Sequence, residues 1–211
     1  MRIVFLVILF SFQLQSIQGQ RSLFSQKYVR LAEDFNLTHQ EIDNFKSQGK
    51  LEVFNELKQK SPLTNKLVKA KVGKTIKFDR GYYKGKYEIV AKSDIPHYRV
   101  RYIFINKNKF DDQKKFEAYL AKVRDLIEKT EFKSVAMQYS MDYKKGVGGD
   151  SGWFKEGKTN PDFFKEVTKA SLLADQVFEF EIAKNNWYYV AKKTHSKMDI
   201  QEVLVLEIRE D

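Results

Sequence analysis

The chain contains no cysteine in 211 residues. That removes disulfides, thiolate nucleophiles, sulfur-ligated metals and lipid-modified cysteine together. Histidine is nearly as scarce, with three copies (His39, His97, His195). Asp142 and Asp150 have no histidine or second carboxylate at ligand or triad spacing, and Ser140 and Ser151 have no partner base, so a metalloenzyme or a hydrolase finds little support. Beyond the first residues no apolar run approaches the about 20 residues that cross a bilayer as a helix. There is no Arg-rich helix and no set of stacking aromatics of the kind that binds nucleic acid. The excess of Lys plus Arg over Asp plus Glu, net charge +10, is spread along the chain. It reads as a solvated lysine-rich surface that favours acidic partners only in a general way.

The opening residues have the layout of a secretory signal peptide: Arg2, an apolar run from Ile3 to Phe10, and a small polar exit at Ser16-Ile17-Gln18-Gly19. Cleavage after Gly19 is expected, leaving a protein exported to the periplasm or beyond, with no stable membrane span. Residues 21 to 70 read as helical. Tyr28, Leu31, Ala32 and Phe35 recur at helical spacing. Thr38-His39-Gln40-Glu41 fits a capping box ahead of Ile42 and Phe45, with Gly49 as the stop. Leu51, Phe54 and Leu57 form a third short amphipathic piece before Pro62. From Lys74 to Ala91 the pattern turns to alternation (Ile76/Phe78, Tyr87/Ile89), a small β-hairpin. Ser93-Asp94-Ile95-Pro96 then marks a junction, since the residue before proline avoids helix. The expected division is a signal peptide at 1–19, a mainly helical accessory module at 20–95, a second domain at 96–195 and a C-terminal strand extension at 196–211.

The second domain has a clearer order. Val100, Tyr102 and Phe104 alternate with Arg101, Ile103 and Ile105 in a strand. Phe116, Leu120, Val123 and Ile127 make an amphipathic helix over 111–129. A second helix covers Glu131 to Tyr139, and a third starts at Pro161. Val177–Ile182, Trp187–Lys193 and Val203–Ile208 are strands. This is an α+β domain, a small antiparallel or mixed sheet covered by helices.

Between the second and third helices lies the densest glycine segment of the chain. Gly146, Gly148, Gly149 and Gly152 fall within seven residues, immediately before Trp153-Phe154. Glycines permit positive φ and close backbone approach, and the aromatic pair buries a large area at the loop's exit. The order Phe132…Ala136…Tyr139-Ser140, then Gly149-Asp150-x-Gly152-Trp153-Phe154, then Phe163, resembles the parvulin-type (rotamase, PpiC-like) peptidyl-prolyl cis-trans isomerase domain. The resemblance covers about Tyr98 to Lys193.

It implies an exported isomerase that rotates X-Pro bonds in proline-containing unfolded polypeptides and needs no cofactor. Carried over residue by residue, Asp142 takes the catalytic acidic position after the Tyr-Ser pair, and Phe163 the aromatic of the proline pocket. Trp153 belongs to the wall at the loop's exit. Ser151 and Thr159 stand where the family usually has bulky apolar pocket residues. The family's two facing histidines are replaced by Tyr102 and, with one residue of slack at Asn185-Asn186, by Tyr188. Two phenols preserve a hydrogen-bonding pair, because each both donates and accepts. None of the three histidines fills either role: His97 stands at an odd offset from Tyr102, on the opposite strand face, His195 stands at an odd offset from Tyr188 and beyond the strand, and His39 lies in the N-terminal helical region. The alternative is a non-catalytic chaperone or protein-binding module that keeps the groove, which the polar replacements favour.

Overall fold

The computed structural model describes residues 26–79, 81 and 84–210. The signal peptide expected at 1–19 lies outside the described residues. The chain divides into two units, Pro96–Asp199 on one hand and the residues on either side of that segment on the other.

In the outer unit the helix over 26–35 (α1) turns at Asn36 into α2, His39–Gln48. The capping box is complete: the Glu41 amide donates to the Thr38 hydroxyl at 3.2 Å, and the Thr38 amide donates to the Glu41 carboxylate at 2.7 Å. Strand β1 (Lys50–Phe54), helix α3 (Pro62–Lys69), and strands β2 (Thr75–Asp79) and β3 (Lys84–His97) follow. β2 and β3 form the expected antiparallel hairpin. Ser61 caps α3 with its side chain and Pro62 occupies the first turn, where a missing N–H costs nothing.

Two expectations need correcting here. The piece around Leu51 and Phe54 is a strand, not a third helix, and it pairs with the C-terminal strand β7 (Met198–Glu210), Leu51 opposite Leu206 and Phe54 opposite Val203. A partner some 150 residues away is invisible to local periodicity. That same β7 is no peripheral extension: the four-stranded order is β1-β7-β3-β2, which places it inside the sheet. Its alternation explains why it suits that place. Leu204 and Leu206 pack with Leu31, Phe35 and Ile42 of α1 and α2 on one face, while Val203 and Val205 pack with Leu63 and Leu67 of α3 on the other.

The Pro96–Asp199 unit is built on a three-stranded antiparallel sheet, β4-β6-β5, from Val100–Asn106, Trp187–Lys193 and Val177–Ile182. Helices α4 (Gln113–Lys129) and α5 (Phe132–Tyr139) cover one face through Phe116, Leu120, Val123, Phe132 and Val135 against Ile103, Ile105 and Val190. Helix α6 (Pro161–Val167) covers the other through Phe163 and Val167, which meet Val100, Phe180, Tyr189 and Ala191. Helix starts follow local chemistry: Asp112 caps α4 by accepting from the Lys115 amide at 2.8 Å, and Asn160 caps α6 by accepting from the Asp162 and Phe163 amides. Because both faces are buried, every strand must sort its side chains by parity, and that sorting decides which residues reach the site.

Candidate active site

β4 has a strand neighbour on one side only, β6. Its other edge is taken by the segment that leaves α5. The Met141 amide donates to the Phe104 carbonyl (2.8 Å), the Tyr102 amide to the Gly149 carbonyl (3.0 Å) and the Ser151 amide to the Val100 carbonyl (3.0 Å), while Tyr98 and Phe154 exchange a pair of backbone bonds. The glycine loop is thus an edge cover that satisfies donors and acceptors otherwise left open. Gly149 is what lets it lie so close. Its φ is +73°, and a Cβ there would stand 2.1 Å from the Tyr102 carbonyl oxygen.

This edge fixes Asp142. The chain leaves α5 at Ser140, whose hydroxyl accepts the Phe104 N–H at 3.0 Å and donates to Asp142 Oδ1 at 2.9 Å. From β4, the Tyr102 hydroxyl donates to Asp142 Oδ2 at 2.8 Å. Each carboxylate oxygen therefore receives one hydroxyl, and each hydroxyl is itself held by a rigid element. Burial, followed by the hydrogen bond to Asp142 and its charge, drives the Tyr102 phenol far above its ordinary pKa, so it stays a donor. Met141 and Tyr143 flank Asp142 as exposed apolar residues, Tyr143 at 85%.

Beside the carboxylate lies an aromatic floor. The rings of Tyr102, Phe163 and Tyr189 touch pairwise edge to face, with centroids 5.4 Å (Tyr102–Phe163), 5.2 Å (Phe163–Tyr189) and 5.7 Å (Tyr102–Tyr189) apart. Phe154 and Phe180 close around Phe163. Asp142, Tyr102 and Phe163 are thereby brought together. Burial, and then the charge of Asp142, push the Tyr189 phenol up to about 12.

Tyr188 does not join them. The register sets Tyr102 opposite Ala191 and Tyr188 opposite Ile105, and Tyr188 points to the α4 face, its ring 5.5 Å from Phe116. Its hydroxyl donates to Glu179, which Arg124 also grips, at 2.8 Å through Nε. The expected Tyr102–Tyr188 pair is replaced by Tyr102–Tyr189. The Asn185-Asn186 turn, where Asn186 takes φ +55°, sets a register one residue away from the expected one, and a one-residue slip moves a side chain to the other face.

The remaining expected residues are dispersed. Ser151 uses its hydroxyl locally, accepting the Val100 N–H at 3.0 Å and donating to the Gly152 carbonyl at 2.8 Å. Trp153 lies 5.1 Å from the His195 ring and outside the Phe163 cluster. The Thr159 hydroxyl is buried without a hydrogen-bond partner among the described residues.

Sequence reasoning missed Arg99 and Arg101. Arg99 Nε donates to Asp150 Oδ1 at 3.0 Å, and Arg101 donates to the Gly148 carbonyl at 2.9 Å, riveting the loop to β4. The only signal for this was two arginines two residues apart, Arg99 just before β4 and Arg101 within it. The Arg99 bond, aided by the Gly152 amide and opposed by burial, lowers the Asp150 carboxyl to about 2. A depressed carboxyl contributes stability above its unfolded pKa and loses it as pH falls through the folded one. With Asp150 only 17% exposed, that contribution is on the order of 2 kcal/mol. Asp150→Asn should be less stable than the wild type by that amount in urea unfolding at pH 7, with the gap closing between pH 4 and pH 2. A gap that ignores pH would refute the clamp.

Residues 87–185 match the family model described as the PPIC-type PPIASE domain. Among solved structures, the chain is similar to PrsA from Bacillus subtilis (26% identity over 47% of this chain and 35% of that one, TM-score 0.38). It is also similar to the peptidylprolyl isomerase PrsA from Bacillus anthracis (26%, 50% and 44%, TM-score 0.38). A PpiC-type peptidyl-prolyl cis-trans isomerase domain aligns at 23% identity over 48% of this chain and 96% of its own, TM-score 0.37. The chain thus spans less than half the length of either PrsA. No curated protein matches. Among the described residues no helix is long and apolar enough to cross a membrane.

Proposed function

We propose, on the match of residues 87–185 to the PPIC-type PPIASE domain, that this protein is an active peptidyl-prolyl isomerase that acts after export on proline-containing, incompletely folded polypeptides. The observation that carries the reading is the Asp142 carboxylate, clamped between the Tyr102 and Ser140 hydroxyls at the margin of an aromatic floor that includes Phe163.

Rotation about an X-Pro bond makes and breaks no covalent bond. Its barrier, about 18–20 kcal/mol, is lost amide resonance, and the two isomers lie within about 0.5–1 kcal/mol. Catalysis therefore means favouring the twisted amide over the planar one. In the planar amide the carbonyl oxygen carries extra negative charge, which fades as the bond twists. A fixed carboxylate beside that oxygen raises the planar state relative to the twisted one, and pre-placement by two hydroxyls means it need not reorganise. The aromatic floor supplies an apolar surface for the proline ring, and the exposed Met141 and Tyr143 supply apolar contacts for its neighbours. The unit formed by the residues on either side of Pro96–Asp199 is the accessory module that holds the client chain.

The test is cis–trans exchange of a short peptide with one Ala-Pro bond, followed by NMR. The wild type should accelerate exchange. Asp142→Ala should lose most of the acceleration, and Tyr188→Phe, altered on the opposite sheet face, should keep it. A wild type that binds the peptide without accelerating exchange would make this a binding module instead.

A further inference from the structure

Three hydroxyl-bearing side chains meet around Asp142 and the aromatic floor. Two are committed: Ser140 donates to Asp142 Oδ1 and Tyr102 to Asp142 Oδ2. The third, on Tyr189, makes no hydrogen bond to any described residue, although its ring is buried at 7% exposure and wedged among Tyr102, Phe104, Phe163 and Phe180. It is not sealed either: the small exposed part of the residue includes its oxygen. A polar group kept at the bottom of an apolar floor, paired to nothing in the fold, works against stability unless something outside the fold pairs with it. Phenylalanine would pack as well here. The neighbouring Tyr188 shows the contrast, because its hydroxyl is spent on Glu179.

We propose that Tyr189 is a catalytic residue, its hydroxyl donating a hydrogen bond to the prolyl nitrogen of the bound chain as the X-Pro amide twists. The inference rests on reading the site as an isomerase and adds a residue to it. The direction of the bond follows from amide chemistry. A planar amide nitrogen has its lone pair in the π system and accepts poorly; once twisted, it becomes pyramidal and accepts well. A donor aimed there strengthens only on the way to the transition state. A donor on the carbonyl oxygen does the reverse, since that oxygen is most negative in the planar form, and would slow rotation. The division of labour is then complete: Asp142 faces the carbonyl side with negative charge, and Tyr189, the one of these three hydroxyls not bonded within the fold, presents its proton to the nitrogen side. With its phenol pushed up to about 12, Tyr189 keeps that proton through the neutral range.

The experiment compares wild type, Asp142→Ala and Tyr189→Phe of the full chain in the same Ala-Pro exchange assay, with thermal unfolding of each. Tyr189→Phe should turn over about tenfold more slowly, the worth of one hydrogen bond in the transition state, at an unchanged melting temperature. A Tyr189→Phe rate equal to or above wild type, with Asp142→Ala slow, overturns the inference and leaves the isomerase reading standing. A clear drop in melting temperature shows the hydroxyl working in the fold and overturns it too. No acceleration by the wild type overturns the isomerase reading, and the role of Tyr189 with it.

Discussion

Gly149→Ala should unfold the Pro96–Asp199 unit at temperatures where the wild type is native. The residue sits at φ +73°, and its Cβ would meet the Tyr102 carbonyl oxygen at 2.1 Å and the Tyr102 nitrogen at 3.1 Å. The left-handed conformation alone costs roughly 1–2 kcal/mol for a residue with a Cβ. The clash cannot be relieved by a side-chain rotation, because its partner is the backbone of β4. Moving the loop away would break the Tyr102–Gly149 and Ser151–Val100 bonds and the Arg99–Asp150 clamp together. A total of about 4–5 kcal/mol is expected, in the range reserved for a few identifiable mechanisms. That corresponds to a fall of roughly 20 °C or more in melting temperature for a unit of this size. Gly146→Ala is the control, since a Cβ there meets nothing within 4 Å. Circular dichroism melts within a few degrees of each other for both variants would show that the close approach does not matter.

The second large effect is on rate rather than stability. Asp142→Asn keeps the volume of the side chain and one oxygen to accept from Tyr102 or Ser140, but it removes the charge. If the carboxylate acts by disfavouring the planar amide, the exchange rate should fall about 30- to 100-fold with little change in peptide affinity. An Asn variant that isomerises at the wild-type rate would mean that shape, not charge, is what the position provides.

Much of this was legible in the sequence because much of it is local. The Thr38/Glu41 capping box, the Pro161 start of α6 and the alternation along β4 each depend on residues a few positions apart, and the structure places them as read. The glycine loop was legible for the same reason: four glycines before Trp153-Phe154 announce a backbone that must come close to something. What it approaches is the carbonyl of Tyr102, nearly fifty residues away, and nothing in the loop says so. The misread segments share one cause. The Leu51–Phe54 spacing suits a helix or a twisted strand, and only pairing with β7 decides between them.

By itself, the sequence determined most helices and strands of the Pro96–Asp199 segment and its likeness to the PPIC-type PPIase domain. Caps, periods and glycine spacing are short-range properties of the chain. Tertiary structure alone decided which tyrosine of β6 faces the carboxylate, that β7 lies inside the other sheet, and that Arg99 and Arg101 hold the loop. Those outcomes turn on strand register, where one residue of slip inverts every side chain, and register is set by hydrogen bonds between segments far apart in the chain.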